Sequence, residues 1–335
     1  MLKLRRASVV EAGPASEPFQ SLEVELAGER RAALADVGLV GPSEVGDEVV
    51  VNTEARDLGL GSGGFDLVHV NLTRGLAGEG TPGAHVMKLN YTSLQHAVLP
   101  VEGEELEVPL ARPVGVVGLH GQLAPFAWAA GAARPGLRLG FVQTAGGALP
   151  GGFSRAVADL RERGLLAGHL TAGPAYGGEG EAISTAGAIH HGLHDLGWDA
   201  AVCGPGPGIL GSGSALGHGG IVALDSAHAA LALGCPTVVV ARMSSGDLRP
   251  RHQGISHHTL TVLNLLLEPV IVALPADADP ELPDDYRHDV RRVATDLTGY
   301  GASGLPRRTM GRDLDDDPEF FAAALAAGTT LAEAG

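Results

Sequence analysis

From residue 113 onward, six short apolar runs alternate along the chain with segments long enough to form helices. The runs are apolar throughout rather than at every second position, which indicates strands that are buried on both faces. Such strands, when they alternate with helices, form a parallel sheet covered by helices on both sides. The candidate strands are Val114 to Leu119, Leu137 to Val142, Ala167 to Thr171, Asp199 to Cys203, Pro236 to Ala241 and Pro269 to Leu274.

The intervening segments complete the βα pattern. They lie near Ala124 to Ala133, Phe153 to Arg163, Glu181 to Leu196, Ile221 to Leu233 and Ser256 to Leu267. A short Ala-rich helix begins near Pro318, and the acidic residues 315–317 suit the positive end of its dipole. Residues 113–335 are therefore predicted to form a doubly wound, Rossmann-like α/β domain of three layers with a C-terminal helical tail.

The first part of the chain, residues 1–112, has a different pattern. Its apolar runs are short and alternating, as in SLEVELAG, GDEVVVNTEA and FDLVHVNL, and Gly, Asp and Pro separate them. This pattern is typical of antiparallel strands, so the segment is predicted to be a small all-β barrel or sandwich. LGLGSGGFD at 58–66 is either a tight hairpin of this segment or a glycine loop that faces the other domain. The domain boundary is placed between Glu102 and Arg112, where the pattern changes.

Composition narrows the classes of function. The net charge of −16 argues against a nucleic-acid surface, which needs a concentrated cationic face. No apolar run approaches the roughly 20 residues of a membrane span. Cys203 and Cys235 lack the spacing of a disulfide framework or a zinc knuckle. These features predict a cytoplasmic protein that acts on neither nucleic acid nor membrane.

The densest polar segment is residues 242–259, RMSSGDLRPRHQGISHHT, which follows a predicted strand. In open α/β sheets, ligands bind beyond the carboxyl ends of the strands, where loops of this kind emerge. Guanidinium groups suit a small anion, and imidazoles can donate hydrogen bonds or transfer protons. We assign Arg242, Arg249 and Arg251 as candidate anion ligands and His252, His257 and His258 as candidate catalytic residues.

A second loop, Gly204 to Gly220, follows the preceding strand and contains eight glycines. It fits G-x-G-x-x-G, but Pro207 and further glycines prevent a helix from starting where a dinucleotide site needs one. No Gly-Lys-Ser/Thr occurs, so the loop is not a P-loop, and the sequence leaves the cofactor unknown. The loop is either an irregular turn or a backbone cradle for an anion. Its candidate ligand-binding residues are Gly204, Gly206, Gly211, Ser212, Gly213 and His218, and neighbouring loops add His120 and Thr144.

Several alternatives stay open from the residues alone. The arginines and histidines of the loop could form an internal network with Asp247 rather than bind a ligand. A metal-dependent hydrolase is a third hypothesis, since His218, Asp247 or His120 could join the loop histidines, yet no metal-ligand spacing motif is present and no metal ligand is assigned. A non-enzymatic regulatory or interaction module also fits, and the sequence leaves open both a reaction and assembly into a homo-oligomer.

Six segments together resemble the bacterial family known as domain of unknown function 3866. They are NTEARDLGLGSGGFDLVHVNL, HVMKLNYTSLQ, TAGGALPGGFSR, GPGPGILGSG, RPRHQGISHHT and TMGRDLDDDPEFFAAALAAG, and they extend over nearly the whole chain. The resemblance implies membership of a family without an established activity. It therefore carries no catalytic residues to this chain, and the prediction of a small anionic or phosphorylated metabolite rests on the residues above.

Overall fold

The computed structural model describes residues 1–60, 64–280 and 286–335, and it divides into two compact units, Met1–Leu99 and Pro100–Gly335. Part of the predicted hairpin at 58–66 lies outside the described residues. The predicted fold class is confirmed, because a closed barrel precedes a parallel α/β sheet. The second unit begins at Pro100, before the predicted boundary between Glu102 and Arg112.

The first unit is built around a five-stranded closed barrel. Its alternating strands place buried Val and Ala side chains inside and polar side chains outside, as the period of a strand requires. The strands are β1 (Leu4–Ala12), β2 (Phe19–Leu26), β3 (Glu29–Asp36), β4 (Glu48–Asn52) and β5 (Asp66–Asn71), with short helices α1 (Val37–Val40) and α2 (Glu54–Asp57) and a separate pair, β6 (Val86–Lys88) and β7 (His96–Val98). The barrel order is β1-β2-β3-β5-β4.

The second unit is an α/β sandwich. Its elements are β8 (Val114–Val116), α3 (Leu123–Ala133), β9 (Leu139–Thr144), α4 (Arg155–Glu162), β10 (Gly168–Ala172), β11 (Gly180–Ala182), α5 (Thr185–His190), β12 (Ala200–Pro205), α6 (Val222–Ala232), β13 (Thr237–Val240), β14 (Met243–Ser244), β15 (Gly254–Ile255), α7 (His257–Leu265), β16 (Ile271–Pro275), β17 (Asp289–Val293), α8 (Leu297–Ala302), β18 (Arg308–Thr309), β19 (Arg312–Asp313) and α9 (Pro318–Glu333).

The main sheet has eight strands in the order β11-β10-β9-β12-β8-β13-β16-β17, and every neighbouring pair is parallel. Helices α3, α4, α8 and α9 pack on one face, and α5, α6 and α7 pack on the other. Side chains along one strand alternate between the two cores, as Val202 and Cys203 do. Two layers of helices around a buried sheet explain why these strands are apolar throughout.

Two sequence expectations need correction in this unit. The helix expected from Glu181 begins only at Thr185, because residues 180–182 pair with β10 as a strand and Ser184 then caps the helix through the Gly187 amide. The expected short tail helix is α9, which has 16 residues and is buried on most of its surface. It is a central element of one helical layer.

Residues 100–112 are held by the second unit. A Glu102 carboxylate oxygen accepts hydrogen bonds from the Ile183 and Ser184 amides at 2.7 and 3.0 Å. The Arg112 guanidinium donates to the carbonyls of Leu193 and Trp198. These contacts explain why the second unit begins at Pro100 rather than nearer Pro113.

Candidate cationic site at the carboxyl edge of the sheet

The site lies at the edge of the main sheet, where the connections that follow neighbouring strands run to opposite faces of the sheet. The chain leaves β8 towards α3 on one face, whereas it leaves β12 and β13 towards α6 and α7 on the other. The loops after these three adjacent strands therefore diverge and leave a crevice at their carboxyl ends. Crevices at such switch points are the usual ligand sites of open α/β sheets.

The crevice contains a cavity of about 470 Å³. Its lining comes from the loops after β8, β12 and β13 and from the β18–β19 hairpin. The lining residues are Leu119, Ile209, Leu210, Gly211, Ser212, Gly213, His218, Gly220, Arg242, Arg249, Arg251, His252, His258, Met310 and Arg312. Nine of the fourteen site residues predicted from the sequence are therefore brought together at one place.

The loop after β13 is closed by its own short ladder and anchored to the start of α9. Strands β14 and β15 pair at its base, and the Ser256 amide donates to the carbonyl of Arg242 at 2.8 Å. The buried Asp317 carboxylate accepts from the Ser244 hydroxyl at 2.7 Å and from the amides of residues 245 and 246. These contacts fix the loop, so the side chains at its tip are held in place over the strand end.

One buried carboxylate organises the arginines. Asp247 accepts from Arg249 through both oxygens, at 2.9 Å from Nε and 2.7 Å from Nη2. Nη2 of Arg242 and Nη2 of Arg312 each lie 3.4 Å from Asp247 Oδ2. The hydrogen bonds from Arg249 hold the pKa of the Asp247 carboxyl well below its usual range. Burial lowers the pKa of Arg242 to about 10, against the attraction of Asp247, so this guanidinium stays charged at neutral pH.

Arg251 differs from the other three guanidiniums. It is exposed, it lines the cavity, and within the described residues it has no hydrogen-bond or ion-pair partner. A short 3₁₀ turn, Pro250–His252, places it between the buried His252 and the paired Arg249. The internal network suggested by the sequence is therefore present for Arg242 and Arg249 but does not include Arg251.

Four imidazoles form a cluster beside the arginines. The ring of His218 stacks on that of His258 with centroids 3.6 Å apart and planes 9° from parallel. His252 and His257 approach His258 with centroids at 5.0 and 4.2 Å. Burial, reinforced by the neighbouring imidazoles and Arg242, lowers the pKa of His258 to about 3, and burial lowers that of His252 to about 4. These rings are therefore neutral at pH 7.

The start of α7 presents two of these histidines. Ser256 caps the helix, as the sequence indicates, because its hydroxyl accepts from the His258 amide at 3.3 Å. The cap places His257 and His258 in the first turn, where successive side chains point in different directions. His258 accordingly lines the cavity, whereas His257 lies beside it without lining it.

Four other predicted residues lie away from the cavity lining. Nε2 of His120 lies 2.6 Å from the Ser154 hydroxyl, and its Nδ1 lies 3.0 Å from the Pro205 carbonyl, so this ring joins two neighbouring loops. The Thr144 hydroxyl, which is almost fully buried, donates to the Ala145 carbonyl.

The remaining two predicted residues, Gly204 and Gly206, are glycines where close packing leaves no room for a side chain. A Cβ at Gly204 would lie 2.2 Å from Cγ2 of Val117, and one at Gly206 would lie 2.2 Å from the Ala148 carbonyl oxygen. Close approach of neighbouring atoms therefore explains both residues. By contrast, a Cβ at Gly211 or Gly213 would meet nothing within 4 Å, so the backbone of that part of the loop is open to a ligand.

Arg312 and Met310 belong to the site but were not found by sequence reasoning. Nε of Arg312 donates to Asp317 at 2.8 Å, and the Met310 sulfur lies 3.6 Å from Nη2 of Arg242. Both residues come from the β18–β19 hairpin, which α8 separates from the last strand of the main sheet. Their signal was the polar run RRTMGRD, whose three arginines in seven residues are denser than the three in eighteen of residues 242–259.

The fold and site define a two-unit protein with a barrel and a doubly wound α/β unit that carries a cationic cavity at the carboxyl edge of its sheet. A family model described as "Protein of unknown function (DUF3866)" matches residues 32–328. The chain belongs to this family, as its sequence motifs predict.

No curated protein matches the sequence. Among solved structures, the chain is similar to one titled "Crystal structure of YjeQ from Thermotoga maritima", with 14% identity and a TM-score of 0.15. The match covers 66% of this chain and 64% of that chain, which is slightly less than two thirds of its length. In the described part of this chain, no helix combines the length and apolar character needed to cross a membrane.

Proposed function

We propose that this protein binds a small anionic metabolite, such as a phosphorylated one, in the cavity at the carboxyl edge of its parallel sheet. One observation carries the proposal. Four guanidiniums line the cavity, those of residues 242, 249, 251 and 312, and no carboxylate is among its described lining residues. Guanidinium groups match the geometry of phosphate and carboxylate oxygens.

The local charge supports the same proposal. The carboxylates paired with these four arginines are Asp247 and Asp317, and the neighbouring histidines are neutral at pH 7. Four positive charges against two negative ones leave a formal charge of +2. In a chain of net charge −16, such a site attracts a small anion while the rest of the surface repels large polyanions.

Each group has a separate role in the proposed complex. Arg251 has no partner among the described residues, so it can turn its guanidinium fully to the anion. The open backbone at residues 211–213 offers N–H groups that tolerate close approach. His252 and His258 line the cavity as neutral imidazoles, so each can donate a hydrogen bond to a bound substrate. Turnover of the anion by transfer or hydrolysis would use these two rings.

A cytoplasmic location belongs to the same proposal. Cys203 and Cys235 are both buried and unpaired. Burial raises the pKa of the Cys235 thiol to about 11, which keeps it protonated and unreactive. Free, inert thiols suit a reducing compartment, where small phosphorylated metabolites are abundant.

A thermal-shift series tests the proposal. Sulfate or phosphate at about 100 times its Kd adds about 2.7 kcal/mol to the stability of the protein that binds it. We expect wild type to gain this stability over chloride at matched ionic strength, and Arg251→Ala to lose most of the gain. The matched control is Arg155→Ala, which removes an exposed guanidinium from the start of α4. Equal gains in wild type and Arg251→Ala would refute the proposal.

A further inference from the structure

We infer that His252, His257 and His258 form a binding site for a divalent transition-metal ion of the zinc class, beside the anion cavity. One nitrogen from each ring lies within 4.8 Å of the corresponding nitrogens of the other two. The ring planes are inclined to one another by 43°, 50° and 74°. Inclined rings can direct their lone pairs to a common point, whereas rings stacked face to face cannot.

This geometry also decides which of the four clustered histidines are ligands. His218 is stacked face to face on His258, with planes only 9° apart. A metal lies close to the plane of an imidazole that binds it, so one ion cannot be held by two rings stacked in this way. His218 therefore acts as a support that fixes the orientation of the His258 ring.

The hydrogen bonds around the three rings leave donor nitrogens available. Nε2 of His257 and Nε2 of His258 are buried, and within the described residues neither has a hydrogen-bond partner. Buried polar atoms are rarely left without a partner, and a bound ion can take the place of one. Nδ1 of His252 lies 2.8 Å from the Ser256 hydroxyl, an outer contact of the kind that fixes the tautomer of a metal ligand.

The donor set selects the class of metal. Three neutral imidazoles without thiolate or carboxylate suit Zn²⁺ and the neighbouring divalent ions Co²⁺, Ni²⁺ and Cu²⁺ rather than Mg²⁺ or Ca²⁺, which prefer oxygen. Burial keeps the pKa of each ring below its ordinary value, so the rings are already deprotonated at neutral pH, as ligands must be. His252 and His258 also line the cavity, so the open coordination position faces it.

The positive charges of Arg249 and Arg251 act on these rings and oppose the binding of a cation. Among the described residues, the most direct opposition comes from Arg242. Its Nη1 lies 3.3 Å from Nδ1 of His258 and donates to it, which places the proton of that neutral ring on Nε2. Coordination through Nε2 requires the proton to move to Nδ1 and Arg242 to release this contact. The guanidinium has Asp247 as a second acceptor, with Nη2 at 3.4 Å from Oδ2, so it can release the histidine without losing every partner.

Titration with Co²⁺ in chloride buffer, followed by visible absorption and by competition with Zn²⁺, tests the inference. We expect one ion per chain with the spectrum of four-coordinate Co²⁺. His257→Ala and His257→Gln should weaken binding by more than about 100-fold, since loss of even an outer partner typically costs 10- to 100-fold. His85→Ala, which removes an exposed histidine from the barrel unit, is the control and should bind as wild type does.

Two results would overturn the inference. One is wild-type protein without a four-coordinate spectrum at saturating Co²⁺. The other is undiminished affinity in both His257 variants. Melting temperatures measured without metal identify a variant that has lost its fold, and the glutamine variant keeps most of the volume of the ring. Because the buffer contains neither phosphate nor sulfate, the outcome is independent of the proposed anion function.

Discussion

Asp247 is the residue whose removal should disturb the cationic site most. Its side chain is 3% exposed and is approached by the guanidiniums of Arg242, Arg249 and Arg312. Asp247→Asn keeps the shape of the side chain but leaves these positive charges without their common counterion. Breaking a buried ion pair from one side typically costs roughly 3–5 kcal/mol, because the remaining charge stays buried and unpaired.

The loss of unfolding free energy in Asp247→Asn should fall at the lower end of that range. Arg249 is 49% exposed, so water can solvate its guanidinium after the pair is lost, whereas Arg242 is 7% exposed and cannot be solvated in the same way. We therefore expect Asp247→Asn to lose about 3 kcal/mol of unfolding free energy. For a unit of this size the melting temperature should drop by about 6 to 12 °C, at roughly 2–4 °C per kcal/mol.

Urea unfolding and thermal melting, each with and without sulfate, provide the assay. A bound anion replaces the missing negative charge, so sulfate should stabilise Asp247→Asn more than it stabilises wild type. Asp313→Asn is the control, since Asp313 is 37% exposed, its partner Arg307 is 40% exposed, and exposed pairs contribute little. A melting temperature for Asp247→Asn within about 2 °C of wild type would refute this reasoning.

Two further predictions concern the packing of the α/β unit and its response to pH. Gly328→Ala should destabilise the protein by about 1–3 kcal/mol in urea unfolding, because the new Cβ would lie 2.1 Å from the carbonyl oxygen of Phe126 on α3. The control is Gly131→Ala, whose new Cβ would meet only the tip of a leucine side chain. Equal stabilities of the two variants would contradict the account. Burial lowers the pKa of His169 from 6.5 to about 4, so the unfolded chain binds the proton first and stability should fall as pH drops from 6.5 to 4. His169→Gln should remove up to about 3 kcal/mol of that loss, and identical pH profiles of the two proteins would be the contrary result.

The central strands were predictable because burial on both faces leaves a continuous apolar run. The edge strands β11 and β17 were not predictable, because β11 is short and β17 is polar. Both segments form strands only by pairing with β10 and β16. The sequence predicts α9 only as a short helix of the C-terminal tail. Its burial depends on α3, which approaches so closely that Gly328 has no room for a side chain.

The candidate site was predictable to the extent that parallel topology fixes it. Loops after neighbouring strands must share an edge, so His218 and Arg251 could be placed together from the sequence. The role of an individual glycine could not be predicted from the sequence, because Gly204 and Gly211 have the same chemistry and differ only in the atoms that surround them. Arg312 escaped detection for a related reason, since the hairpin that carries it reaches the site by tertiary packing alone.

A crystal structure of the protein soaked with tungstate tests the central claim most directly, because this phosphate-like anion is located by its anomalous signal. The account predicts a peak in the cavity, within hydrogen-bonding distance of the Arg251 guanidinium and of a backbone amide in residues 211–213. A cavity without a peak, at a tungstate concentration that gives the full thermal shift, would contradict it.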